Sequence, residues 1–154
     1  MITIFNYSPA LKDLNEEYNQ YVDLLVVNEV EAEVFTKCSV KTVQDAKTAC
    51  LNVLARDGFS LGVIVTLGEQ GVVYCEKKSG EFLVLAAKKV QAVDSTGAGD
   101  AFVGSLAHYL SKLGVNEMKR AIELACEYAT LSVTKKGTQA SYPKLNELDE
   151  KFRV

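Results

Sequence analysis

Two runs in this chain, DLLVVN at residues 23–28 and LGVIVTLG at 61–68, are apolar at nearly every position. A strand with one face in water alternates apolar and polar residues. A run that is apolar throughout is a strand covered on both faces, the mark of a parallel sheet in an α/β protein. Parallel neighbours cannot be joined by a tight turn; they need a crossover, usually a helix. The sequence between the runs supplies two. EVEAEVFT, 29–36, reads as helical with glutamates in its first turn, where the helix dipole favours negative charge. Thr42 caps the next helix, and Asp45 three residues on makes an imperfect capping box. Val43, Ala46, Ala49, Cys50, Val53 and Leu54 then recur at helical spacing until RDG ends the segment.

Further elements extend the pattern. Residues 2–5 are β-branched and aromatic and read as a strand broken by Pro9, with a short polar helix expected around 11–20. GVVYCEK at 71–77 and EFLVLAA at 81–87 flank KSG and predict a hairpin. KVQAV, 89–93, reads as one more short strand. Two long amphipathic helices are expected at about 98–113 and 117–134, followed by a polar loop, KKGTQASYP, and a short terminal helix over 144–152. No repeat or low-complexity linker interrupts the chain. Alternating strands and helices predict an α/β fold, a three-layer αβα sandwich on a mostly parallel sheet, as one domain over residues 1–154.

The composition narrows the function. Nearly half of the 154 residues, 48%, are hydrophobic, enough for a real core. The net charge of −3 is scattered without a basic patch, which argues against nucleic acid and anionic membranes as partners. No apolar run reaches the ~18 residues needed to cross a bilayer, and the N-terminus lacks the features of a signal peptide. Four cysteines, Cys38, Cys50, Cys75 and Cys126, lie far apart beside a single histidine. That spacing suits buried free thiols in a reducing cytoplasm, not a zinc site or a disulfide framework.

The chemistry concentrates in VDSTGAGDAFVGSLAHYL, residues 93–110. A strand ending at Val93 gives way to a helix at 98–100, and ligands of open α/β sheets bind beyond the carboxyl ends of strands. Gly97 and Gly99 have no side chain to obstruct an anion approaching the helix N-terminus. The amides of Ala98, Gly99 and Asp100 can therefore face one oxyanion, such as a phosphoryl group in transfer. Asp100, a carboxylate beside those amides, suits a general base that takes the proton of an attacking hydroxyl. It suits equally a residue that complements the helix dipole. The spacing is neither a Walker A loop nor a dinucleotide fingerprint.

DSTGAGDAFVGSL resembles the second signature of the PfkB carbohydrate kinases. FNYSPA, VVNEVEAEVF, TLGEQGVVY and KKGTQASYP match the ribokinase-like members in order and spacing, so the resemblance covers nearly the whole chain. It implies a ribokinase-like fold and transfer of the ATP γ-phosphoryl to the 5-hydroxyl of D-ribose. By that resemblance Asp100 is the catalytic base, in contact with substrate, and Ala98, Gly99 and Asp100 form the anion hole. Asn28 lies near the ATP phosphates and Glu31 organises the Mg2+ shell through water; read alone, the pair is also an N-cap and a first-turn acid. Thr66, Leu67, Gly68, Glu69, Gln70 and Gly71 match the nucleotide-binding turn, Thr66 contacting phosphate, although an ordinary strand–turn–strand fits them too. A K+ site is implied at Asp94, Thr96, Ser132, Lys135, Gly137 and Ser141, with Lys135 giving its carbonyl and pointing its ammonium away. Cys126 falls near the adenine, where the family often has a polar residue; helix core is its other reading.

The resemblance also has a gap. The family's glycine-rich motif of the GGKGAN type, its lid and most of its sugar contacts have no counterpart here. The chain is expected to be the C-terminal, nucleotide-binding part, whether a truncated product, a short isoform or a degraded gene product, with little or no kinase activity alone. An exposed sheet edge would favour a homodimer. Another PfkB sugar or nucleoside kinase, or a non-catalytic ATP-binding or dimerising piece, are the other readings.

Overall fold

The computed structural model describes residues 1–10 and 15–154. It divides into two compact units, Met1–Ala86 and Ala87–Val154. The part of the expected polar helix that falls on residues 11–14 lies outside the described residues; its remainder is a 3-10 helix, Glu16–Tyr21.

The first unit is built on a five-stranded sheet in sequential order: β1 (Ile4–Asn6), β2 (Leu24–Asn28), β3 (Gly62–Thr66), β4 (Val72–Glu76) and β5 (Phe82–Leu85). The sheet is mixed. β1, β2 and β3 are parallel, and β4 and β5 return antiparallel as the expected hairpin. The crossover from β2 to β3 carries α1 (Glu29–Thr36) and α2 (Val43–Leu54). Both helices start with a complete capping box. Asn28 and Glu31 exchange side-chain and backbone bonds at α1, and Thr42 and Asp45 do so at α2. The pairing that looks imperfect in sequence closes because an Asp side chain also reaches the N-cap amide.

The register explains the core. Leu25 opposes Val63 and Val27 opposes Val65; Val65 opposes Val73 and Val63 opposes Cys75. One sheet face is thus a flat apolar patch, on which Ala46, Ala49, Cys50 and Val53 of α2 and Ala32 and Phe35 of α1 pack. Small residues on α2 let the helix approach closely. Phe59 completes this layer edge-on to Phe35, with ring centroids 6.1 Å apart. It sits at φ 56, a conformation unusual for a bulky residue. Complete burial and the bond from its amide to the Val22 carbonyl, 2.9 Å, hold it there. Gly58, at φ +96, precedes it, and a Cβ there would lie 2.0 Å from the Asn19 carbonyl oxygen.

The second unit pairs α3 (Ala98–Leu113) with α4 (Met118–Ser132), joined through Gly114 and a 3-10 turn, Val115–Glu117. Their ranges agree closely with the expected helices. Residues 89–93 do not form the expected strand: no ladder partner exists among the described residues, and Val90 and Val93 are exposed. The amides of Val93 and Asp94 instead both donate to the Val133 carbonyl at the end of α4. The expected terminal helix is two 3-10 turns, Leu145–Glu147 and Glu150–Phe152, separated by extended backbone at Asp149.

No helix among the described residues is long and apolar enough to cross a membrane. All four cysteines are free. Cys50 and Cys75 are buried as expected; Cys38 is exposed and Cys126 half-buried, because α1 has ended before Cys38 and α4 presents Cys126 at its margin.

Gly58→Ala should lower unfolding stability by about 1–3 kcal/mol or more, since strain and a backbone clash coincide. Thr42→Ala, which removes one cap, should lower it by about 1 kcal/mol. Urea denaturation followed by circular dichroism measures both.

Candidate functional site

The candidate residues fall into two groups, one in each unit. In the first unit, parallel pairing brings Asn28 and Thr66 side by side as the last residues of β2 and β3. The chain leaves β2 directly into α1. The Asn28 side-chain oxygen accepts from the Glu31 amide at 2.8 Å, and Glu31 Oε2 accepts from the Asn28 amide at 2.8 Å. The capping role of this pair is therefore real. It does not exhaust Glu31, whose other carboxyl oxygen makes no hydrogen bond among the described residues and keeps solvent access although the residue is only 5% exposed. Thr66 donates its hydroxyl proton to the Val27 carbonyl at 3.4 Å.

The turn after β3 is compact. Leu67 is buried, and its amide donates to the Gly71 carbonyl at 2.8 Å. A 3-10 turn, Gly68–Gln70, is closed by the Gly71 amide on the Gly68 carbonyl. Gly68 has φ +51 and nothing within 4 Å of where a Cβ would stand, so its backbone is open to a ligand. Glu69 is exposed, while the Gln70 amide group reaches back to the Lys41 carbonyl at 3.0 Å and fixes the turn.

In the second unit the glycine-rich corner keeps an opening at a helix start. Gly97 is the N-cap of α3, at φ 81, and no side chain caps the helix. The Ala98 amide, expected to face the anion, donates to the Ser95 carbonyl at 3.1 Å, and the Ala101 amide donates to Gly97 at 2.9 Å. Between them, the amides of Gly99 and Asp100 have no backbone acceptor among the described residues. Gly99 is exposed, with open space for 4 Å around the position a Cβ would take, and Asp100 is exposed beside it. Paired amides at the positive end of a 16-residue helix have the chemistry to receive an oxyanion. Asp100 also lines a cleft of about 340 Å³ with Gly104, His108, Tyr128, Tyr142 and Phe152.

Asp94 organises the approach to this corner. One carboxyl oxygen accepts the Thr96 amide at 3.0 Å; the other accepts the Gly137 amide at 2.9 Å, 43 residues away. The hydroxyl and amide of Thr96, with the amide of Gly137, draw the Asp94 carboxyl down to about 2. The 94–97 and 137–141 segments are thereby held together. Ser132 and Ser141 are buried and donate their hydroxyl protons to the Ala129 and Thr138 carbonyls, 2.7 Å in each case, leaving oxygen lone pairs free. The Lys135 ammonium pairs with Glu147 at 2.9 Å. No group of three or more His, Cys, Asp or Glu that would hold a metal occurs among the described residues. Cys126 on α4 is half-buried, and burial, with Glu127 and Glu123 nearby, pushes its thiol up to about 12. It stays protonated at neutral pH and is at most a weak donor.

Tyr142 is the residue that pattern reading leaves out. Its hydroxyl donates to the Gly97 carbonyl at 2.9 Å. No local motif announces it, because the contact spans 45 residues.

The chain belongs to the pfkB family of carbohydrate kinases, whose family model matches residues 2–145. It is similar to a deoxyribokinase of Salmonella typhi, at 36% identity over 147 residues, covering 96% of this chain and 46% of that protein. Among solved structures it resembles ribokinase of Thermotoga maritima, with a TM-score of 0.82 and 33% identity, over 99% of this chain and 49% of the other. A candidate ribokinase II of E. coli, solved with ATP and Mg2+, matches with a TM-score of 0.68 and 26% identity, over 86% of this chain and 39% of the other. The chain thus spans about half the length of the relatives it matches.

The folded value of Asp94, about 2, lies below its ordinary 3.8, so folding favours the ionised form. The stabilisation this gives the corner is complete above 3.8 and is lost as pH falls through about 2. An acid titration by NMR should move the amide resonances of Thr96 and Gly137 together across that window. In Asp94→Asn both should already be displaced at neutral pH.

Proposed function

We propose that this chain carries the nucleotide side of an ATP-dependent sugar kinase. The free amides of Gly99 and Asp100 at the head of α3, in a chain of the pfkB family, carry this reading. The γ-phosphoryl of ATP rests against those two amides, which hold the negative charge of its equatorial oxygens as they lose the leaving group. Asp100, at the same helix end, takes the proton of the acceptor hydroxyl. That oxygen forms its bond to phosphorus while the bond to the β-phosphate oxygen breaks and ADP departs. By the family resemblance, Asn28, Thr66 and the turn at Gly68–Gly71 in the first unit, and Cys126 in the second, are the further positions assigned to nucleotide contacts.

The donor chemistry fits the two cations such a kinase uses. Glu31 has a carboxyl oxygen left over from its cap for a water of Mg2+, an ion that keeps much of its hydration. Asp94, Ser132 and Ser141, with backbone oxygens of Thr96, Lys135 and Gly137, suit K+. Mg2+ supplies charge neutralisation on the phosphates, and K+ supplies rigidity to the loops around Asp94. The acceptor is D-ribose at its 5-hydroxyl or the related deoxyribose; the relatives carry both names. The cleft beside Asp100 gives room for an acceptor hydroxyl.

Calorimetry of the chain with MgATP tests the reading. Binding is expected, and Gly99→Val should weaken it at least about tenfold, because the new side chain enters open space above the amides without meeting protein. Binding that Gly99→Val leaves unchanged, or no binding at millimolar MgATP, would overturn it. Where sugar-dependent ADP release is measurable, Asp100→Asn should lower it by about 10²–10⁴, the usual worth of a general base, with MgATP affinity retained.

A further inference from the structure

The loop following α4 returns to the head of α3 and touches it at one point. Tyr142 places its phenol oxygen 2.9 Å from the Gly97 carbonyl. That carbonyl already accepts the Ala101 amide, the first i→i−4 bond of α3, so two donors converge on it. Gly97 stands at φ 81, which turns the chain so that α3 begins without a side-chain cap. A Cβ at Gly97 would come within 2.8 Å of the Tyr142 hydroxyl, so the glycine and the phenol are fitted to each other. Tyr142 is itself anchored: the next residue, Pro143, accepts a hydrogen bond at its carbonyl from Tyr128 of α4, 3.1 Å. Asp94, through Gly137, ties the same loop to the segment before α3.

We propose that Tyr142 is a positioning residue for the anion site: by holding the Gly97 carbonyl, its hydroxyl fixes the turn that leaves the Gly99 and Asp100 amides free and aimed at one phosphate. The inference rests on the phosphate-binding reading of those amides. A helix start with no side-chain cap depends on backbone bonds and on neighbouring segments to keep its first turn from fraying. Side-chain caps would close the amides; a clamp on the carbonyl of the N-cap residue steadies the turn and leaves them open.

The test follows the amide resonances of Gly99 and Asp100 by NMR during titration with MgATP, in the wild-type chain and in Tyr142→Phe. Loss of the hydroxyl should move the Gly97 carbonyl carbon resonance. It should also weaken the MgATP response of the two amides about three- to tenfold, the range for one hydrogen bond. The resonances of β3 and β4 should stay in place. A tyrosine that merely packs would lower the melting temperature and leave the response of the two amides unchanged, and that result overturns the proposal. If the wild-type amides do not respond to MgATP, the phosphate reading falls and this one with it. If they respond alike in both chains, only the role of Tyr142 falls. Should Tyr142→Phe not fold, Gly97→Ala presses on the same contact from the other side; a full response in that variant overturns the proposal and a lost one supports it.

Discussion

Every helix has first-turn amide hydrogens that its own carbonyls cannot reach, and how this chain treats them separates structure from site. At α1 and α2 they are closed by reciprocal capping boxes, Asn28 with Glu31 and Thr42 with Asp45. At α4 a preceding 3-10 turn leads into the helix, and the Met118 amide finds the Val115 carbonyl. At α3 neither device is used. A glycine in a left-handed conformation starts the helix, and two amides remain without backbone acceptors among the described residues. Unpaired donors are tolerated where water or a ligand can reach them, and both residues are exposed. The uncapped helix is thus the feature around which the candidate chemistry gathers.

The surrounding architecture makes that opening definite in shape. Asp94 and Tyr142 fasten the loop after α4 to the segment before α3 at two places, through partners 43 and 45 residues apart. One clamp is ionic and acts on an amide; the other is neutral and acts on a carbonyl. In the first unit the equivalent work is done by sheet register. Parallel pairing ends β2 and β3 at the same level, so Asn28 and Thr66 become neighbours without any bond between their side chains.

Most of the fold was legible because its signals are local. The all-apolar runs at 23–28 and 61–68 became buried strands, and α3 spans 98–113 because Gly97 and Gly114 bracket it in the sequence as they do in space. Residues 89–93 misled because valine and alternation describe what a strand is made of, not whether a neighbour exists to pair with it. Val93 gives its amide to the end of a helix instead. Leu145, Leu148 and Phe152 have helical spacing, but extended backbone at Asp149 divides the segment. At the site, the glycines and Asp100 were visible as a motif. The loss of the Ala98 amide to Ser95 was not, since it depends on the φ of Gly97, and neither was Tyr142, since its meaning lies wholly in a distant carbonyl.

The four thiols of this chain differ widely in accessibility. Cys38 follows the left-handed end of α1 and is exposed, whereas burial pushes the Cys50 thiol up to about 12 and raises that of Cys75, and Cys126 lies near 12 as well. A thiol reagent at neutral pH therefore meets one ready target, and the chain contains no tryptophan to add background emission. A fluorophore carried at Cys38 would report from the end of α1, giving the protein an optical handle that leaves its glycine-rich corner chemically untouched.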